Sequence, residues 1–448
     1  MPTYRFPEGF IWGCATASYQ IEGSPLADGA GESIWHRFSH TPGKIKTGET
    51  GDIACDHYNR YQEDIGLMRW LGLKAYRFSI AWPRLFPTDE RTLNPRGLAF
   101  YDRLVDGLLA AGIEPFVTLY HWDLPVWAED RGGWPARECA QWFASYASTV
   151  FERLGDRVKH WITLNEPWVS AYLGYYTGVH APGRQSLQDA VSASYNLLLA
   201  HGLAVQRFRQ SGRAGEIGIT LNMSHVVPAS DKEEDKAAAR LFDGYLNRWF
   251  LEPVVRGAFP ADLVAAFRQA GLKLGPMSAE DMQLIGAPID FLGLNYYSIS
   301  TIAAAPGFPG FRQAPPPDRV LNTMGWEMEP EGLYQLLLRL HREYGLRKIY
   351  ITENGYPLRE KEFGGPDLED EPRIHYIREH LLRAWRAIQE GVPLRGYFVW
   401  SLMDNFEWAE GYEPRFGIIY VDYRTLERKP KRSAHWYREV IAANAIEA

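Results

Sequence analysis

Apolar residues recur along this chain in short runs, each followed by a longer stretch with helical spacing, and the alternation repeats eight times. The runs Phe10–Ser18, Ala75–Trp82, Glu114–Trp122, His160–Pro167, Ile217–His225, Asp290–Ser298, Lys348–Gly355 and Leu394–Leu402 are apolar, several of them rich in β-branched and aromatic residues, and read as buried strands. Helices are predicted between and around them. In Tyr58–Leu71 the positions Tyr61, Ile65, Met68 and Leu71 share a face and Gly72 ends the pattern. Similar stretches run from Leu98 to Ala111, Ala136 to Leu154, Leu187 to Gln210, within Glu233 to Gln269, and at Gly332–Tyr344, Arg373–Glu390 and Ser433–Asn444. Eight such alternations predict an α/β protein, a single (β/α)8 TIM barrel over residues 1–448. Parallel strands need helical crossovers, and eight of them close a sheet without leaving an edge. An open doubly wound sheet would want a Gly-rich phosphate turn after an early strand, and G-x-G-x-x-G is absent from the chain. Residues 24–57 read as a long loop, and Asp231–Lys236, Ala303–Pro317 and Glu360–Pro372 as surface segments.

A barrel carries its chemistry at the carboxyl ends of its strands. Those ends hold an unusual set here: Gln20, Arg77, His121 with Trp122, Asn165 with Glu166, Asn222, Asn295 with Tyr297, Glu353, and Trp400 with Glu407 and Trp408 just beyond. Taken singly, His121, Trp122 or Trp400 fits a packed core, and Asn295 or Tyr297 merely ends a strand; their coincidence at one rim points to a site. Glu353 closes the apolar run Lys348–Thr352, and a charge there is costly unless it is paired. Glu166 precedes Pro167, which biases it away from the right-handed helical region and predicts an extended residue at the exit of strand four. Two carboxyl groups facing each other across a barrel mouth suit glycoside hydrolysis, which needs a proton donor at the leaving oxygen and an ionised partner at the anomeric carbon. Arg77 beside Glu353 would keep one ionised, and that charge would help keep Glu166 protonated.

Composition narrows the choice of partner. The net charge is −7 without a basic block, which argues against nucleic acid, and no apolar run approaches the roughly 20 residues of a membrane span. Three scattered cysteines suggest neither a disulfide framework nor a metal knuckle, and the N-terminal segment lacks an apolar export core, so a cytoplasmic location is expected. The 16 Trp and 25 Tyr exceed what a core needs and suit stacking on sugar rings.

Five segments carry a family resemblance: F-I-W-G-C-A-T-A-S-Y-Q-I-E-G at 10–23, T-L-N-E-P at 163–167, N-Y-Y at 295–297, I-T-E-N-G at 351–355 and W-S-L-M-D-N-F-E-W at 400–408. In this order they resemble glycoside hydrolase family 1 over nearly the whole chain. The resemblance implies a retaining β-glucosidase acting on small-molecule β-glycosides, with Glu166 as acid/base, Glu353 as nucleophile, and Arg77 and Tyr297 orienting it. Gln20, His121, Trp122, Asn165, Glu407 and Trp408 would hold the glycone, with Asn165 on its 2-hydroxyl and Trp400 as its platform. Asn222 and Asn295 would also meet substrate, and Trp168, His180 and Trp326 would line the aglycone side. Neither a metal nor an organic cofactor is implied. Relatives acting on 6-phosphosugars carry Ser where Glu407 stands, and thioglucoside-cleaving ones carry Gln where Glu166 stands, so neutral O-glycosides are expected, galactosides and fucosides among them. Two alternatives remain open: a transglycosidase working through the same intermediate, and a non-catalytic sugar-binding barrel.

Overall fold

The computed structural model describes residues 2–307, 309–362 and 368–447. Strands β1 (Ile11–Ala15), β2 (Ala75–Ser79), β3 (Glu114–Tyr120), β4 (His160–Asn165), β5 (Glu216–Asn222), β6 (Phe291–Asn295), β7 (Ile349–Asn354) and β8 (Leu394–Trp400) close into a parallel barrel. Each pairs with its neighbour in sequence, and β8 returns to β1 through Gly396↔Ile11 to Trp400↔Ala15. This is the expected (β/α)8 fold. Helices His57–Leu71, Pro95–Ala110, Arg137–Leu154, Leu187–Gln210, Pro330–Arg342, Glu371–Gln389 and Arg432–Ala443 lie close to the stretches predicted from spacing. Gly72 caps the first of them in the left-handed conformation (φ +76°) that its lack of a Cβ permits.

The barrel interior is filled by rings. Phe116 lies 4.9 Å from Phe398 and 5.3 Å from Tyr350, ring centre to ring centre. Gly13 makes room for this packing, since a Cβ there would sit 2.4 Å from the Phe398 ring. Above this plug the register sets polar residues side by side at the carboxyl ends, with Asn222 opposite Asn295 and Asn295 opposite Glu353.

Several sequence expectations are corrected. Strand β1 stops at Ala15, and Ser18–Ile21 forms a single helical turn, so Gln20 projects from that turn rather than from a strand end. The 24–57 loop contains a helix, Ile34–Ser39, capped by Ser33 accepting from the His36 amide. The stretch after β5 continues as Val226–Pro228, which pairs with Ser300–Ala304, and this in turn pairs with Phe311–Gln313. The 303–317 segment therefore supplies one strand and the end of another to a small three-stranded sheet at the barrel mouth, where composition suggested a surface loop. In the acidic 360–372 segment, residues 363–367 lie outside the described residues. Its Asp370 is not on the surface: it is fully buried, paired with Arg373 at 2.7 Å and accepting from Ser433 Oγ. No helix among the described residues is long and apolar enough to cross a membrane, and Cys14, Cys55 and Cys139 are buried free thiols.

Candidate active site

A cavity of about 440 Å³ opens at the carboxyl ends of the strands, with Glu166 and Glu353 both in its wall. Glu353, next to last in β7, is 3 % exposed. Its Oε1 accepts from Arg77 Nη1 at 2.7 Å and its Oε2 from the Tyr297 hydroxyl at 2.6 Å. Arg77, fully buried in β2, has three further acceptors: the Thr352 carbonyl, Thr118 Oγ1 and Asn165 Oδ1. The guanidinium is thus held rigidly across the barrel, and a buried charge paired this way fixes its partner's orientation.

Glu166 follows β4 directly, but its backbone is left-handed (φ +48°) rather than extended. The residue before proline is barred from the right-handed helical region only, and the chain must turn at once into the helical segment that begins at Pro167. Trp122 (φ +79°) and Trp408 (φ +51°) share this conformation, which costs a residue with a side chain about 1–2 kcal/mol. Three of the eleven non-glycine residues with positive φ among the described residues thus stand in the cavity wall. Asn295 ties the two carboxyl-bearing strands together. Its Nδ2 donates to Glu166 Oε1 at 2.6 Å and to Asn165 Oδ1 at 3.1 Å, while its Oδ1 accepts from Thr352 Oγ1.

The surroundings separate the two carboxyls. Burial and then the neighbouring Glu353 charge push the Glu166 pKa up to about 8. Burial raises Glu353 as well, but Arg77 and Tyr297 oppose it, so the first proton to leave the pair leaves Glu353. Glu407 is raised to about 8 by burial and by Glu353, with Gln20 Nε2 3.4 Å away as a donor. His121 is held neutral by burial and by the nearby Arg77 charge.

Because the folded pKa of Glu166 lies above the 4.5 of an ordinary glutamate, its protonated form stabilises the fold below about pH 4.5, and that stability is lost as pH rises towards 8. Glu166→Gln removes this titration while retaining an acceptor for Asn295. Its melting temperature is expected to exceed that of the parent by more at pH 8 than at pH 5, in scanning calorimetry at both values. An equal offset at the two pH values would mean that Glu166 carries no such strain.

The remaining rim residues divide into two groups. His121, Trp122, Asn222, Asn295, Tyr297, Trp400, Glu407 and Trp408 line the cavity, as do Trp168, His180 and Trp326. Gln20, Arg77 and Asn165 stand behind the wall, fully buried. Gln20 Nε2 donates to Asn405 Oδ1 and the Phe406 carbonyl, and Asn165 Nδ2 lies 3.1 Å from His121 Nε2. The Trp122 indole donates to the Asn165 carbonyl, which leaves its ring to face the cavity. Trp400 is nearly parallel to His121 (24°), and Trp408 packs on Trp122 at 4.7 Å. Gly355 admits the Trp400 carbonyl, which a Cβ at that position would meet at 1.7 Å. Sequence reading missed the apolar wall formed by Val169, Leu173, Phe242, Leu246, Met324 and Phe416, and it missed Gln313 from the small sheet.

The chain as a whole is similar to known proteins. Residues 3–446 match the sequence profile described as Glycosyl hydrolase family 1. The chain is similar to Beta-glucosidase A of Thermotoga maritima, 52% identical over 448 residues covering 100% of both chains. It is also similar to a bifunctional beta-D-glucosidase/beta-D-fucosidase of Bifidobacterium breve, 44% identical over 462 residues covering 98% of this chain and 99% of the relative. The solved structure of the T. maritima family 1 glycoside hydrolase complexed with a cyclophellitol analogue transition state mimic superimposes with a TM-score of 0.95 at 52% identity, covering 100% of each chain. With the profile matched over residues 3–446, almost the whole chain, and the sequence and barrel matched from end to end, this chain belongs to glycosyl hydrolase family 1.

Proposed function

We propose that this enzyme is a retaining β-glucosidase that hydrolyses terminal non-reducing β-D-glucosyl residues of oligosaccharides and of aryl and alkyl glycosides, with Glu353 as nucleophile and Glu166 as acid/base. The observation that carries the reading is the asymmetry of the carboxyl pair: one cavity holds a Glu353 gripped by Arg77 and Tyr297 and a Glu166 kept protonated up to about pH 8. In the first step Glu353 attacks the anomeric carbon as the proton of Glu166 passes to the leaving oxygen, giving a glycosyl-enzyme ester. Esterification cancels the Glu353 charge that had raised Glu166. Glu166, now a carboxylate with a lower pKa, takes a proton from water as the water attacks the same carbon and releases Glu353. Two inversions at that carbon leave the β-configuration. Proton NMR of the first sugar released from a nitrophenyl β-glucoside tests this. The β-anomer is expected before mutarotation, and an initial α-anomer would overturn the reading.

The sugar side follows from the polar wall. Glu407, with Gln20 behind it, offers acceptors to the outer hydroxyls of a glycone, and no Lys or Arg is among the described residues lining the cavity. A phosphate on the sugar would therefore enter a desolvated site without a cation to pair it. Glu407→Ser is expected to lower kcat/KM for nitrophenyl β-glucoside by about 10- to 100-fold, the scale on which buried hydroxyls left without a partner act. It should weaken the 6-phosphoglucoside less. A ratio of the two specificity constants that does not move towards the phosphosugar would place Glu407 elsewhere. The apolar wall opposite suits aryl and alkyl aglycones. Galactosides and fucosides are further proposed substrates, the latter in line with the name of the Bifidobacterium relative.

A further inference from the structure

Away from the cavity, the 24–57 segment brings together a group that neither the resemblance nor the proposed chemistry uses. His36 and His40 stand one turn apart at the end of helix Ile34–Ser39, and Asp52 returns from the far end of the following loop to meet both. Each imidazole is fixed at Nδ1. That of His36 lies 2.9 Å from Glu32 Oε1, and that of His40 lies 2.7 Å from the His36 carbonyl. Both partners only accept, so each Nδ1 carries the proton and each Nε2 is the atom that turns to Asp52. His36 Nε2 is 3.8 Å from Asp52 Oδ1, and His40 Nε2 is 2.9 Å from Oδ2. Oδ1 is shielded from solvent and has no hydrogen-bond partner among the described residues.

We propose that His36 Nε2, His40 Nε2 and the Asp52 carboxylate bind one divalent zinc ion. Metal-bound imidazoles present one nitrogen to the ion and donate the other N–H to a carboxylate or carbonyl, and both histidines here are arranged so, with Glu32 and a backbone carbonyl as the outer partners. At zinc–ligand distances of about 2.0–2.1 Å, tetrahedral ligand atoms stand about 3.3 Å apart. The two nitrogen–oxygen separations, 2.9 and 3.8 Å, straddle that value, and all the donor atoms lie within 4.8 Å of one another. Two imidazoles and a carboxylate suit zinc better than calcium or magnesium, and the half-exposed setting leaves the fourth position to water. The ion would close the loop between His40 and Asp52. That loop carries the rim of the cavity: the Lys46 amide donates to the Ala409 carbonyl, the Tyr412 amide to Glu49 Oε2, and the Tyr412 hydroxyl to the Thr50 carbonyl. Trp35, the residue before His36, packs on Trp408 at 4.6 Å.

The test is calorimetric titration of zinc chloride into chelator-treated full-length protein at pH 7.5, beside His40→Ala, Asp52→Asn and Glu32→Ala. One ion per chain is expected. Affinity should fall at least tenfold in the first two variants and roughly 10- to 100-fold in the third, which removes only an outer partner. Zinc should raise the melting temperature of the parent and leave His40→Ala unmoved, since an ion that binds only the folded form stabilises it. The exposed positions of His40 and Asp52 make misfolding easy to exclude by circular dichroism. Absence of saturable binding would overturn the proposal, leaving a simple His40–Asp52 ion pair, and so would equal affinity in the parent and all three variants, which would place the zinc elsewhere.

Discussion

Glu353→Ala is expected to lower kcat for aryl β-glucosides by roughly 10⁵-fold or more, the scale on which removal of a covalent nucleophile acts in other enzymes. The loss has two sources. No group remains to form the ester, and Arg77 keeps its charge in a fully buried position with only the neutral acceptors at Thr352, Asn165 and Thr118. Breaking a buried ion pair from one side costs about 3–5 kcal/mol, so a lowered melting temperature should accompany the lost activity. The space left beside the guanidinium suits a small anion. Azide is expected to restore part of the turnover with activated glucosides, and because it attacks from the face that Glu353 occupied, the product should be the α-glucosyl azide. A β-glucosyl azide would remove Glu353 from the nucleophile's place. Loss of the Glu353 charge should also lower the Glu166 pKa, which that charge helps to raise. Carbon-13 NMR of labelled glutamate in Glu353→Gln, with Glu166→Gln to assign the signal, would read the shift.

The strands of the barrel were legible because each is an apolar run bounded by turn residues. The site was legible because polar and aromatic residues stand where those runs end. Glu353, Asn295 and Asn222 are adjacent in space for the reason that the register of parallel strands makes them so. What the sequence hid is set by the third dimension. The rule for residues before proline excludes one backbone region for Glu166 and leaves two, and only the demand for an immediate turn after Asn165 selects the left-handed one. Gln20 follows an apolar run that continues past the strand into a helical turn, and apolarity alone does not mark where pairing stops. Val169 and Leu173, from the π-helical segment after β4, and Phe242 and Leu246, from the helices after β5, look like core residues in sequence yet face the cavity. The sheet that joins 226–228, 300–304 and 311–313 is held by pairing between distant segments, where local Gly and Pro content pointed to a loop.

Glu166→Ala should divide substrates according to how badly their leaving group needs a proton. A dinitrophenolate departs unaided, so formation of the glycosyl-enzyme from dinitrophenyl β-glucoside is expected to stay within about tenfold of the parent, whereas cellobiose should lose on the order of 10⁴-fold, the upper range for a positioned general acid. The second step also loses its base. Stopped-flow measurements should therefore show a burst of dinitrophenolate followed by slow turnover, as the ester on Glu353 accumulates. The pH profile adds an independent reading. Buried Glu166 and partly buried Glu407 have pKa values pushed up to about 8, and deprotonation of either would place an alkaline limb there. A limb that reports the proton donor disappears in Glu166→Ala and persists in Glu407→Gln. The reverse pattern would assign it to binding at Glu407. Equal losses on dinitrophenyl glucoside and cellobiose, with the limb unchanged in Glu166→Ala, would move the acid role to another group.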